Sequence, residues 1–253
     1  MSKKSKRNQA RQNPPAQVSP VAQRTPPTQQ PLPPSRWNRK GIFIVAVIAL
    51  LLAFVVGTLA YKSEREHSAK QVAAKNAALL ASDHSPAFGS ADAKVHVVEF
   101  LDPACGTCAA FYPEVKKLMA ANPGKIRLSV RHVPFHQGSE QVVRILEAAR
   151  NQGKYAPALE AVLASQDRWT VNHVAYAERV WPSLEGIGLD LDRIRADMNA
   201  PDIASRIERD LADARVLGVT KTPEYFVNGR PLPSFGLEEL NGLVREELRG
   251  AYP

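Results

Sequence analysis

The chain has 253 residues, with 33 Lys and Arg against 25 Asp and Glu and a formal net charge of +8. Nine of the basic residues and none of the acidic ones fall within residues 1–40, which leaves 24 basic and 25 acidic residues beyond that point. The body is therefore close to neutral, which removes electrostatic support for nucleic-acid binding, and its length allows one or two domains with a real core.

Residues 1–40 include RQNPPAQVSPVAQRTPPTQQPLPPSR, rich in Pro and Gln with almost no apolar content. Such a segment cannot bury enough surface to fold and is expected to be a disordered cytoplasmic tail. Its Pro-Pro pairs would suit a polyproline ligand, but a solvated tail that supplies topogenic charge explains them with less.

A membrane helix is expected over 41–61. IFIVAVIALLLAFVVGTLA, residues 42–60, carries no charge. At 1.5 Å per residue it spans roughly 28 Å, about the thickness of the hydrocarbon layer. Arg36, Arg39 and Lys40 flank its start, Tyr61 and Lys62 follow it, and Trp37 and Tyr61 suit the two interfaces. The cationic side is expected in the cytoplasm, which makes the protein single-pass in the cytoplasmic membrane with its body outside. A buried core helix would seldom be so uniformly apolar. A cleaved signal peptide would have an apolar region of about 7–15 residues near the start of the chain. An uncleaved anchor fits best.

Residues 62–85 are Ala-rich and mixed in charge, with Val72, Leu79 and Leu80 as the large apolar residues. They predict a helical stalk whose apolar stripe is too thin for a dimer seam.

The body is expected over 86–253. KVHVVEFL (94–101) predicts a buried strand, and CAAFYPEVKKLMAA a helix with Phe111, Val115, Leu118 and Met119 on one face. KIRLSVRHV (125–133) alternates, with Ile126, Leu128 and Val130 on one side and His132 at the end of that face. Strand, helix and strand predict a parallel pair. Residues 139–217 read as helices broken at Gly153, Pro157, Pro182 and Pro201. EYFVNGRPL (224–232) reads as a hairpin turning at Asn228-Gly229, and residues 237–248 as an amphipathic closing helix. Arg131, His132 and His136 are expected to be surface or structural residues, because polar groups at strand ends are mostly solvated.

Cys105 and Cys108 are the only cysteines, at a strand-to-helix junction. Free N–H groups and the helix dipole favour negative charge there, so Cys105 is expected to be an acidic, exposed nucleophile. Cys108 is placed to resolve a mixed disulfide, and the Gly106-Thr107 spacer permits the small S–S ring. Zinc would need His132 and His136 as further ligands, but 23 residues separate Cys108 from His132 and Pro134 interrupts the histidine pair. Haem attachment would need His where Ala109 stands. A purely structural disulfide would close a four-residue loop and constrain the unfolded chain little.

EFLDPACGTCAAFYPE and GVTKTPEYFVNG carry a resemblance to the DsbA-like thiol–disulfide oxidoreductases. It extends over about residues 86–253 and implies an α/β thioredoxin fold with a helical insertion near 139–217. It also implies an acidic proton-transfer residue at Glu99, a helix-kinking proline at Pro113 and a cis-proline loop at Thr222-Pro223 that presents substrate. Burial of Glu99 would raise its pKa and suit it to proton transfer with Cys108. The alternative is a carboxylate at the strand edge facing solvent. Strong oxidases of this family carry Pro-His between the cysteines. Gly106-Thr107 therefore implies a less acidic Cys105 and a less oxidising disulfide, and Thr222 is closer to the isomerase and reductase branches. The implied function is disulfide exchange with extracytoplasmic protein thiols, served by a membrane redox partner, with no nucleic acid, metal or cofactor. A redox-inert membrane adaptor with a thioredoxin-like body is the alternative from another class.

Overall fold

The structure, a computed structural model, describes residues 39–253; the Pro-rich tail, with Arg36 and Trp37, lies outside the described residues. The described chain falls into two compact units that meet between Val55 and Val56. Helix α1 runs from Arg39 to Leu80. Its apolar stretch is long enough to cross a membrane, and its large side chains from Ile42 to Leu59 are exposed, Phe43 and Phe54 each at 70%. Residues 62–80 of the expected helical stalk continue this same helix, and 81–85 lie beyond its end.

The second unit is built on five strands. They are β1 (Ala87–Phe88), β2 (Val95–Leu101), β3 (Ile126–His132), β6 (Glu224–Val227) and β7 (Arg230–Pro231), in the order β1-β3-β2-β6-β7. Strands β2 and β3 are parallel, from Val95 opposite Ile126 to Leu101 opposite His132. Helix α2 (Gly106–Ala121) connects them and contains Pro113. Strand β6 returns antiparallel to β2, which sets Tyr225 opposite Glu99. Asn228 and Gly229 turn β6 into β7 with φ of 47° and 83°, the left-handed pair that a two-residue hairpin requires. Helix α8 (Leu237–Ala251) closes the fold.

Between β3 and β6 lie α3 (Ser139–Asn151), α4 (Tyr155–Ala164), the one-turn α5 (Gln166–Trp169), a hairpin of β4 (Thr170–Val171) and β5 (Val174–Ala175), α6 (Leu191–Asp197) and α7 (Pro201–Leu217). Of the residues expected to break helices, Gly153 and Pro201 stand at breaks. Gly153 follows α3 with φ 67° and Pro201 is the first residue of α7, whereas Pro157 lies in the first turn of α4 and Pro182 is the second residue of a 3₁₀ turn. The first turn needs no backbone N–H, so proline opens a helix there. The β4–β5 hairpin turns on Asn172 and His173, both at positive φ, and has no glycine to announce it.

Both faces of β2 are covered. Val95, Val97 and Leu101 join the main core with Val115 of α2, Ile145 of α3 and Val244 of α8. Val98 and Phe100 face a second cluster with Phe226 of β6, Ala214 of α7 and Leu80 of α1. Strand β3 is likewise interior, and of the surface or structural place expected for Arg131 and His132 at its end they take the structural one. Arg131 and His132 are buried. Arg131 pairs with Asp210, donates to Asp213 at 2.6 Å and donates to the carbonyl of Leu79 at 3.0 Å. Burial pushes the Asp210 carboxyl up, but hydrogen bonds from His84, Arg131 and the His132 amide hold it below its ordinary range.

Candidate active site

The site forms where β2 delivers the chain into α2. Asp102 opens the connection as an Asx turn: its Oδ1 accepts the Ala104 amide at 2.9 Å and the Ser139 hydroxyl. Its Oδ2 accepts the His136 amide at 2.8 Å and pairs with His136 Nδ1 at 2.7 Å. With Asp102 fully buried, these contacts tie the connection to the start of the helical insertion.

Cys105 is the N-cap of α2, and its side chain makes no capping hydrogen bond. Both cysteines are free thiols, with Cys105 7% exposed and Cys108, one turn inward, fully buried. As a thiol, Cys105 donates to the carbonyl of Thr222 at 3.3 Å. As a thiolate it is stabilised chiefly by the Cys108 thiol and further by Thr222 and the amides of Cys108 and Thr107. These outweigh burial and pull Cys105 down to about 5. This acidity arises without a spacer histidine. Cys108 is driven the other way, first by burial, then by its hydrogen bond to Cys105 and the charges of Glu99 and Cys105. One sulfur is a thiolate at neutral pH and its neighbour a thiol.

Glu99 sits on β2 with no solvent exposure. Burial raises its carboxyl to about 8, against the hydrogen bond that Tyr225 donates to Oε1 at 2.9 Å and with help from the charge of Cys105. Its other oxygen, Oε2, and the buried Tyr112 hydroxyl have no hydrogen-bond partner.

The Thr222-Pro223 peptide bond is cis and lies on the other side of Cys105. Beside it, Phe235 is 45% exposed, stacks on Phe111 at 5.2 Å between ring centroids and carries the Lys221 ammonium over its face. The fold thus brings Cys105, Cys108, Glu99, Thr222 and Pro223 into one neighbourhood. Gly106 faces solvent there, and Thr107 contributes a backbone amide to the sulfur. His132 bonds to the Tyr155 hydroxyl at 2.8 Å. Among the described residues no three His, Cys, Asp or Glu side chains cluster as metal ligands would.

Sequence reasoning missed Asp102, Tyr225 and Gln166, whose side chain reaches the same connection. Asp-Pro-Ala before a cysteine is an Asx-turn signal, and a T-P-E-Y strand beside β2 places Tyr225 once its register is known. Nothing local marks Gln166.

The family profile described as thioredoxin matches residues 81–246. A thioredoxin-like oxidoreductase from Silicibacter pomeroyi superposes with a TM-score of 0.59 at 29% identity, over 68% of this chain and 96% of that one. The thiol-disulfide exchange protein alpha-DsbA2 from Wolbachia pipientis superposes with a TM-score of 0.60 at 23% identity, over 72% and 97%. A Na(+)/H(+) antiporter NhaA from Herminiimonas arsenicoxydans is 34% identical over 164 residues, 64% of this chain. The chain spans only 25% of that antiporter's length.

Proposed function

Because the chain belongs to the thioredoxin family, we propose that it is a DsbA-like, membrane-anchored oxidoreductase that exchanges disulfides with extracytoplasmic proteins. The observation that carries this is the split between two adjacent sulfurs, an acidic Cys105 at a helix start and a buried Cys108 kept as a thiol.

In the oxidising direction, a substrate thiolate attacks Sγ of Cys105. The Cys105–Cys108 bond breaks, a mixed disulfide forms, and Cys108 leaves as a buried thiolate that takes a proton from neutral Glu99. A second substrate thiolate attacks the mixed disulfide and releases Cys105 as the stabilised thiolate. Two electrons pass from the substrate to the cysteine pair. Run backwards, the same steps reduce a substrate disulfide, with Cys108 as resolving nucleophile and Glu99 as its base. The acidity of Cys105 stabilises the dithiol form at neutral pH and so favours disulfide donation. The Thr222-Pro223 loop and the exposed Phe235 edge present an extended polypeptide to the sulfur. A membrane redox partner then restores the disulfide. The apolar part of α1 anchors the protein with its basic tail in the cytoplasm, by the excess of positive charge before the span.

The test is equilibration of the full-length chain, in detergent, with glutathione buffers and mass readout of the cysteine pair. A potential well above that of thioredoxin, about −270 mV, is expected. A pair that never exchanges with glutathione would defeat the proposal.

A further inference from the structure

The N-cap of α2 is a residue whose side chain is committed to chemistry. An ordinary helix start is held by a Ser, Thr, Asp or Asn side chain on the first-turn amides. As a thiol Cys105 supplies no such bond, and only as a thiolate does its sulfur draw on those amides. The turn gains from a hold that does not depend on the state of Cys105.

Gln166, the first residue of α5, is in place to do so. Its side-chain amide donates to the carbonyl of Pro103 at 2.6 Å and to that of Cys105 at 3.0 Å. The Cys105 carbonyl also accepts the Ala109 amide at 3.1 Å, the first bond of the helix. One amide group from the helical insertion thus grips the residues on both sides of Ala104, and Oε1 of the same side chain lies 3.7 Å from the point where a Cβ on Gly106 would stand. Pairing the Pro103 carbonyl also removes the cost of leaving a main-chain acceptor without a partner beside the site.

We propose that Gln166 is a positioning residue for Cys105. It anchors the Pro103 and Cys105 carbonyls from outside the helix and so keeps the Thr107 and Cys108 amides aimed at the sulfur. This rests on the exchange function proposed above. Without this anchor the first turn is free to fray, the amides lose their aim and the thiolate is less favoured. Cys105 then becomes less acidic, and the dithiol form loses stability relative to the disulfide.

Two substitutions in the full-length chain test this. Gln166→Ala removes the group, and Gln166→Leu keeps similar bulk over Gly106 without a donor. The thiolate of the reduced protein is titrated by its absorbance near 240 nm. The equilibrium between the disulfide plus two glutathiones and the dithiol plus oxidised glutathione is read on the same samples. Both variants should raise the thiolate midpoint by about half a unit or more. Both should move the glutathione equilibrium about fivefold toward the disulfide, roughly 20 mV for a two-electron couple. A residue that only supports packing would lower the melting temperature and leave both quantities in place, and that result in the two variants overturns the inference. The midpoint is readable whether or not the parent protein exchanges with glutathione, so failure of the exchange function and failure of the anchor are seen separately.

Discussion

At Glu99 a carboxyl is buried against a neutral phenol, since the hydrogen bond it accepts comes from Tyr225. A phenol stabilises the carboxylate less than a cation would, so burial prevails and the group holds its proton to about pH 8. The consequence for stability has a definite sign. Below about pH 4.5 the carboxyl is protonated in both folded and unfolded chains, and its contribution is fully present. Between there and pH 8 only the folded chain keeps the proton, so stability is lost as pH rises. Cys105 acts oppositely in the reduced protein. Its thiolate is favoured in the folded state, so its contribution is present at high pH and lost as pH falls through about 5. Comparison of Glu99→Gln with the parent isolates the carboxyl. Urea unfolding of the dithiol forms should show the parent losing more stability than the variant between pH 5 and 8, by as much as about 4 kcal/mol. Parallel pH curves would mean that Glu99 ionises normally and is unfit to protonate Cys108.

The last turns of α1 belong energetically to the folded body. Leu80 is buried among Val98, Phe100 and Phe226, Asn76 donates to the Gly229 carbonyl at 3.1 Å, and Arg131 holds the Leu79 carbonyl. This docking completes the second face of the sheet beside α7, in the cluster that holds Phe100 and Phe226. Leu80→Ala is expected to destabilise the body by about 2–5 kcal/mol, as buried leucines do when truncated. Denaturant unfolding measures it, and a loss below about 0.5 kcal/mol would mean that the helix end is undocked in solution. Helix α5 shows the same economy of form: one turn long, it positions Gln166 over the start of α2.

For the whole molecule, the proposed exchange depends on which side of the membrane holds the sulfurs. With two cysteines in the chain, labelling is unambiguous. A membrane-impermeant maleimide should modify the reduced pair in intact cells, and Cys105→Ser should abolish the fast-reacting signal. Labelling only after permeabilisation would put the body in the cytoplasm and remove the oxidising compartment that the function requires. Much of this protein is written in near neighbours. The uninterrupted apolar run of 42–60, the β-branched content of β2, the alternation of β3, the Asn228-Gly229 turn and the three-residue spacing of the cysteines are each fixed by residues a few positions apart. Local sterics and periodicity therefore decide them. The burial of Arg131 by Asp210, the pairing of Glu99 with Tyr225 and the grip of Gln166 on Cys105 join residues 79, 126 and 61 positions apart. No local rule reaches that far. Whether a polar side chain at a strand end meets water or a counter-charge, and whether a helix start is held from within or from outside, was decided by strand register and helix docking, because those alone determine which distant groups share a dry interior.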